Sequence, residues 1–575
     1  MKLTSYAQDA LKLWKAEATL SRFLIIVCLA MVIFAYLPTC QIDYVTQDQW
    51  RAFRYSTLEG SWISRGEACQ HMVRAFYVFT GRPLVWLGEL LEHAVVGKIR
   101  DFIYLRPVVL VFVVISVLYL GRVIAPLVNG WVGGVVVASL FVLGPGYSFI
   151  YFQGMTGAPV LLSIPLSAAS FSKLNKWSYH PEILDRKSLK QLFISLMLFL
   201  SACMLYPAWA FIVVPLGWCF FCLYSAGSPG RRFKRFLLTM SFYFLATIIY
   251  YLFVKVSVIL LTWMGAYVET GNYTVSMSLR PSILYDRLVI MARYFYDLRL
   301  FSFQYSGGLS VFILTLFSIH VAVTMTKNSE TRANRTIVWS AGVFLLTIII
   351  LAGSVSPWFF SNMPGLSNRH LIPWYFFFFI DAVILIQYGL GQALKNNNQY
   401  VSILLIILIL TPMAFCQNRL SFLEVASSNM EIEIFRSELG KWLDKKGYES
   451  QRYLLVVRPQ TFSSRLIEGQ MASLREYAGE NLSLSSACHP EHIYQMVNAL
   501  LRERNDHPLG KSVEIVDCRF DRTLAENKYT EGKVALLQTN GENLTINGKN
   551  PYIINLSLLT SKPVFPKLIE SSHQE

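Results

Sequence analysis

Long apolar runs alternate with short polar connectors as far as Cys416, and the pattern breaks there. A hydrocarbon core of roughly 30 Å takes about 20 residues of helix to cross. Runs near that length fall at 20–38, 102–121, 124–145, 157–173, 190–206, 208–226, 236–262, 309–326, 337–354, 371–391 and 399–416. They predict eleven transmembrane helices within a membrane domain spanning 1–416. Pro159, Pro165, Pro207 and Pro215 interrupt these runs, which a bundle tolerates because neighbouring helices satisfy the freed backbone groups. From 417 to 575 apolar and polar positions mix. "MEIEIFRSELGKWLDKKG" and "PEHIYQMVNALLRER" carry a helical period, while "YLLVVRP", "SVEIVDC", "KVALLQT" and "YIINLSLL" read as strands. That alternation predicts a C-terminal extramembrane α/β domain over 417–575.

Composition supports the membrane reading. The 575 residues are 54% hydrophobic and 15% charged, with a mean hydropathy of +0.43. Soluble domains carry about 25% charged residues. The net charge of +15 does not imply nucleic acid, because the basic residues collect in short loops between apolar runs. Lys12, Lys15 and Arg22, then Lys173 to Lys190, "GRRFKRF" at 230–236, Lys327 to Arg335, and Lys395 all fall on one side. Positive charge favours the cytoplasm, so the N-terminus is predicted inside and the C-terminal domain outside. The long loops 39–101 and 263–308 are then outer loops. The first apolar run exceeds a signal-peptide core of about 7–15 residues and reads as a retained span. "CFFC" at 219–222 lies in an apolar run and reads as core packing. Cys40 with Cys69, and Cys488 with Cys518, are possible disulfides whose spacing does not decide the matter. No metal-ligand spacing, Walker A pattern or dinucleotide fingerprint occurs, so neither metal nor cofactor is expected.

The first outer loop holds the densest chemistry. "QIDYVTQDQWRAFRYS" at 41–56 sets Asp43, Asp48, Arg51 and Arg54 just beyond the first span. A carboxylate at that height can take a proton from a sugar hydroxyl, or it can simply pair with arginine in a surface turn. "FTGRPLVWLGELLEHAVVGKIRDF" at 79–102 opens on a Gly-Arg-Pro corner. Leu84, Leu87, Leu90, Leu91 and Val95 follow at helical spacing, which predicts a helix lying on the bilayer surface. Arg82 at the corner suits a phosphate, since guanidinium forks onto its oxygens; the alternative is a loop-fixing ion pair.

Span one, "DQWR" at 48–51, Trp62 and "GRPL" at 81–84 together resemble the outer loop of the serotype-converting O-antigen (Gtr-type) glucosyltransferases. These are GT-C class enzymes that use polyprenyl-phosphate sugars. The family pattern has two adjacent acids ahead of the arginine; here the first position is Gln47 and the second Asp48. The resemblance implies a GT-C-like fold in a bacterial inner membrane with the active site on the periplasmic face. It implies transfer of a sugar, glucose in the family, from undecaprenyl phosphate to a lipopolysaccharide O-antigen or related glycan. Asp48 would be the base, with Asp43 in reserve, Arg51 and Arg82 near the donor phosphate, and Trp62 at the sugar. Mannose, galactose, arabinose or an amino sugar would satisfy the same loop chemistry.

Further candidates lie later in the chain. Arg369, in "PGLSNRHLIPW", is a cation in an otherwise uncharged outer loop and suits a donor phosphate; the alternative is headgroup anchoring with Trp374 as a belt residue. Lys255 sits inside an apolar run, where a charge costs about 2.5–3.5 kcal/mol on insertion scales. It either reaches the donor phosphate or snorkels to the interface. Asp381, in "FFFFIDAVILI", is expected to pair with a cation across the bundle. In the second outer loop Arg280, Tyr285 and Arg287 suit an acceptor glycan, with Asp286 and Asp297 as reserve bases. The alternative there is an interfacial helix with snorkelling arginines. A flippase for a lipid-linked sugar is the rival function, but it should carry inverted repeats, and none is visible. A non-enzymatic assembly or anchoring protein is the second rival.

Overall fold

A computed structural model gives the fold. It describes residues 19–41, 57–58, 61–62, 78, 80–85, 87–88, 95–96, 98–128, 130–178, 185–224, 229–263, 281–296, 298, 308–326, 332–355, 370–393, 398–418, 427–444, 453–457, 496–497, 499–501, 503–504, 514–518, 537–540, 543–546 and 552–555.

Helices dominate as far as residue 418. They are α1 (Thr19–Tyr36, extended by a 3-10 turn Leu37–Gln41), α2 (Phe102–Ile124, entered through a 3-10 turn Ile99–Asp101), α3 (Trp131–Leu143) and α4 (Pro145–Ser178). Next come α5 (Arg186–Leu205), α6 (Pro207–Ala210), α7 (Val213–Cys219) and α8 (Pro229–Trp263). The series ends with α9 (Pro281–Tyr296), α10 (Leu309–Thr326), α11 (Arg332–Ser354), α12 (Ile372–Ala393) and α13 (Asn398–Asn418). Each predicted apolar run overlaps one or more of these helices. Among the described residues six helices are long and apolar enough to cross a membrane. Four shorter apolar helices, Trp131–Leu143, Pro207–Leu223, Leu309–Thr324 and Tyr400–Ala414, accompany them, so the predicted count of eleven is not reached by length and apolarity alone.

The departures have local causes. The run 124–145 forms a helix only from Trp131, because residues 125–128 turn and Gly130 takes φ 130°, a backbone state that side chains rarely adopt. The run 208–226 breaks into α6, α7 and a π-helical turn at Phe220–Tyr224, with Pro207 starting α6 at a position where its missing N–H costs nothing. The run 157–173 is the middle of a longer helix that begins at Pro145.

α3 sits at the centre and packs against α1, α2, α4, α12 and α13. Nearly all of its residues are buried, which explains its uniform apolarity. At Gly134 the backbones of α2 and α3 touch: a Cβ there would lie 2.0 Å from the Gly121 carbonyl oxygen. Small residues permit this approach, as they do between membrane helices generally. Hydrogen bonds tie the helices at matching heights. The Tyr36 hydroxyl donates to the Val142 carbonyl (2.5 Å), Ser170 to the Ser195 carbonyl (2.8 Å), and Trp374 Nε1 to the Leu351 carbonyl (2.8 Å). At the opposite end Gln387 Nε2 donates to the Val128 carbonyl (2.6 Å). One end of the bundle therefore gathers the ends of α1, α3, α5 and α11 with the starts of α2 and α12. The other gathers the short connectors, where Arg122, Lys173, Lys176, Arg186, Lys190, Arg231, Arg232, Lys234 and Arg235 collect.

Beyond α13, α14 (Ser427–Asp444) buries Ile432, Phe435, Leu439 and Trp442 along one face. Strands β3 (Tyr453–Val457), β4 (Glu514–Cys518) and β7 (Tyr552–Asn555) form a parallel sheet in the order β4-β3-β7. β5 (Leu537–Asn540) and β6 (Asn543–Ile546) form a separate antiparallel hairpin. A second helical stretch buries Met496, Val497, Leu500 and Leu501.

Candidate functional site

Arg82 is the predicted site residue around which the structure builds most. Its corner is a tight turn with Gly81 at φ 75°, where a Cβ would strain the backbone. Two helices hold it. The Tyr250 hydroxyl on α8 donates to the Gly81 carbonyl (2.5 Å), and the Leu84 amide donates to the Met204 carbonyl near the end of α5 (3.2 Å). The Arg82 guanidinium carbon lies 5.6 Å from the centre of the Tyr206 ring, a cation–π distance. Tyr206 stands between α5 and α6 and packs edge-on against buried Trp209 (5.9 Å). The guanidinium is thus held by its aromatic face while its body stays half-exposed.

A second arginine at the same end escaped the sequence reading. Arg106, in the first turns of α2, is buried and within electrostatic reach of Cys40 at the end of α1. "FIYLRPVVL" held the same signal used for Lys255, a basic residue inside an apolar run, but the run was read only as a span.

The other candidates divide. Lys255 is half-buried on α8, its ammonium 5.6 Å from the centre of the Tyr251 ring one turn earlier. On α9, Tyr285 and Asp286 are exposed while Arg287 is buried, so the predicted acceptor residues Tyr285 and Arg287 point to different sides of one helix. Burial pulls the Arg287 guanidinium below its ordinary pKa. Trp62 lies in a short strand, β2 (Ser61–Trp62), paired antiparallel with β1 (Thr57–Leu58). Asp43, Asp48, Arg51, Arg280, Asp297 and Arg369 lie outside the described residues. So do most of the predicted interfacial helix at 84–98, of which Leu87, Gly88 and Val95 are helical, and one half of each possible cysteine pair, Cys69 and Cys488. Cys40 carries a free thiol.

One expectation and one alternative are corrected. Asp381 meets a thiol rather than a cation: Cys219 Sγ lies 3.9 Å from Oδ1, and Oδ2 has no hydrogen-bond partner among the described residues. Both cysteines of "CFFC" are buried, which brings Cys219 to that carboxyl. Trp374 is no belt residue. It is buried, bonded to Leu351 and packed edge-on against Phe295 (5.5 Å). Among the described residues no group of His, Cys, Asp or Glu is placed to hold a metal ion.

No family model and no curated protein matches the sequence. Among solved structures, the chain is similar to the archaeal oligosaccharyltransferase AglB from Archaeoglobus fulgidus in complex with an inhibitory peptide and a dolichol-phosphate. That match has 10% identity and a TM-score of 0.36, covering 78% of this chain and 63% of the other. The apo form of the A. fulgidus oligosaccharyltransferase matches at 11% identity with the same TM-score of 0.36 and the same coverage, 78% and 63%. The chain thus spans under two thirds of these proteins, and a TM-score at that level does not establish a shared fold.

Proposed function

We propose that the protein is an inverting, GT-C-like membrane glycosyltransferase that moves a sugar from a polyprenyl-phosphate donor to a surface glycan. The observation that carries this reading is the clamped Gly81–Leu84 corner. It fixes a guanidinium at the bundle end remote from the basic connectors, where a lipid phosphate would lie. Buried Arg106 is a second cation toward that end of the bundle. In the reaction the Asp48 carboxylate takes the proton of an acceptor hydroxyl, whose oxygen attacks the anomeric carbon. The bond from that carbon to the phosphate oxygen breaks, and the lipid phosphate departs with the electron pair. Arginines near it stabilise the developing negative charge. Displacement from the opposite side inverts the anomeric centre. Glucose, an O-antigen acceptor and the periplasmic face belong to this proposal through the loop resemblance.

The test is transfer by the purified full chain from undecaprenyl-phosphate-glucose to lipopolysaccharide. Wild type is expected to transfer and Asp48→Asn to lose at least about 100-fold, the usual worth of a general base. Equal transfer by the variant would remove Asp48 from the mechanism. No transfer from any polyprenyl-phosphate sugar would overturn the enzyme reading. Mass spectrometry of surface glycan with and without the gene identifies the sugar and linkage, and loss of whole chains would instead indicate a flippase.

A further inference from the structure

The basic end of the bundle contains a cleft unrelated to the site above. It lies between the end of α4, the broken α7 segment and the first turns of α8. Arg232 and Arg235 line it from α8, Asn175 and Ser178 from α4, and Phe221 and Phe236 form its apolar wall. The basic residues of "GRRFKRF" divide by face. Arg232 and Arg235, three apart and therefore neighbours on the helix, are half-buried at the cleft, whereas Arg231 and Lys234 are exposed. The aromatic wall is itself well packed. Phe221 and Phe236 stand 5.8 Å apart, and both lie against buried Trp218, at 5.1 and 5.3 Å. Beside the cleft α8 turns Phe233, Leu237, Phe244 and Leu245 outward, an apolar flank suited to acyl chains.

From this arrangement we propose that the cleft binds the phosphate headgroup of an anionic phospholipid from the leaflet at the basic end of the bundle. Two guanidiniums three residues apart fork onto phosphate oxygens, and the polar end of α4 faces the rest of the headgroup. A soluble phosphate would meet the arginines alone, but a phospholipid also covers the apolar flank of α8. Basic pockets between helices on the cytoplasmic side hold acidic lipids in just this chemical sense. The positive-inside pattern assigns this end to that side. The site would anchor the helix whose middle supports the Gly81 corner, without taking part in chemistry.

Native mass spectrometry of the detergent-purified full chain tests it, with phosphatidylglycerol, phosphatidylcholine and soluble glycerol phosphate as probes. Wild type is expected to retain phosphatidylglycerol selectively. The R232Q/R235Q variant should bind it about tenfold more weakly or worse, the scale of charged hydrogen bonds. R231Q/K234Q removes the same charge from the exposed face and should bind as wild type does. Equal losses in both variants would reduce the effect to net charge and overturn the site. Equal retention of phosphatidylcholine by wild type, or competition by glycerol phosphate at matched concentration, would overturn the lipid assignment. If R232Q/R235Q does not purify as a single species, R235Q alone carries the same expectation, and wild-type lipid selectivity still decides.

Discussion

Arg82 shows how far one residue depends on others. Its charge was visible in "GRPL", but its position comes from Tyr206, Met204 and Tyr250, which lie more than a hundred residues away. Tyr250→Phe leaves the Gly81 carbonyl without its donor and should cost the corner about 1–2 kcal/mol. Hydrogen–deuterium exchange should then accelerate at 80–85 while the core of α3 is unchanged. Under the proposed reaction Arg82→Lys keeps the charge but loses the fork and the ring stacking. It should raise KM for the lipid donor by roughly tenfold, with kcat less affected. Asp381 makes the opposite point. Among the described residues the hydrogen-bond neighbour of this carboxyl is a thiol, from which charge gains nothing, so Asp381→Asn should leave the melting temperature unchanged or raise it. A fall of several degrees would show that the carboxyl has a partner beyond Cys219.

At the scale of elements, glycine decides where helices touch. Gly134→Ala would push a methyl to 2.0 Å from a backbone oxygen that cannot rotate away, so α2 and α3 must separate. The expected cost is about 1–3 kcal/mol, read as a lower melting temperature in detergent. A Cβ at Gly342 on α11 meets nothing within 4 Å among the described residues, and Gly342→Ala should be neutral or stabilising by up to about 1 kcal/mol. The two substitutions are identical in sequence terms. The same limit explains the run 208–226, which passes a hydropathy test but folds as two short helices and a π turn. Apolar content reports burial, and it does not distinguish an unbroken span from a bent one packed inside the bundle.

The whole molecule is joined by contacts between distant parts of the chain. Glu503 accepts from the Ile99 amide (3.0 Å) at the entry to α2 and from Arg436 Nε (3.2 Å) on α14. Asn429 Nδ2 also donates to the Gln41 carbonyl (3.4 Å) at the end of α1. One carboxylate therefore couples the C-terminal elements to the loop that carries the candidate site. Glu503→Ala should weaken that junction by about 1–3 kcal/mol and speed limited proteolysis beyond residue 418. Glu438→Ala, which removes a more exposed pair with Lys441, should change little.

The amino-acid sequence by itself determined the class of the molecule: a nearly all-helical chain with membrane-length apolar helices, and the end at which its basic connectors collect. Those features follow from hydropathy period and charge placement, which act locally and are written in consecutive residues. It also singled out Asp48 and Arg82 as candidate residues. Only the tertiary structure decided which helix lies at the centre, that Arg106 is buried at the end opposite the basic connectors, that Asp381 faces Cys219, and that the basic face of α8 divides between cleft and solvent. Each of these depends on which side chains from distant segments meet. Packing sets those meetings through close approach and volume, and neither property belongs to one stretch of chain.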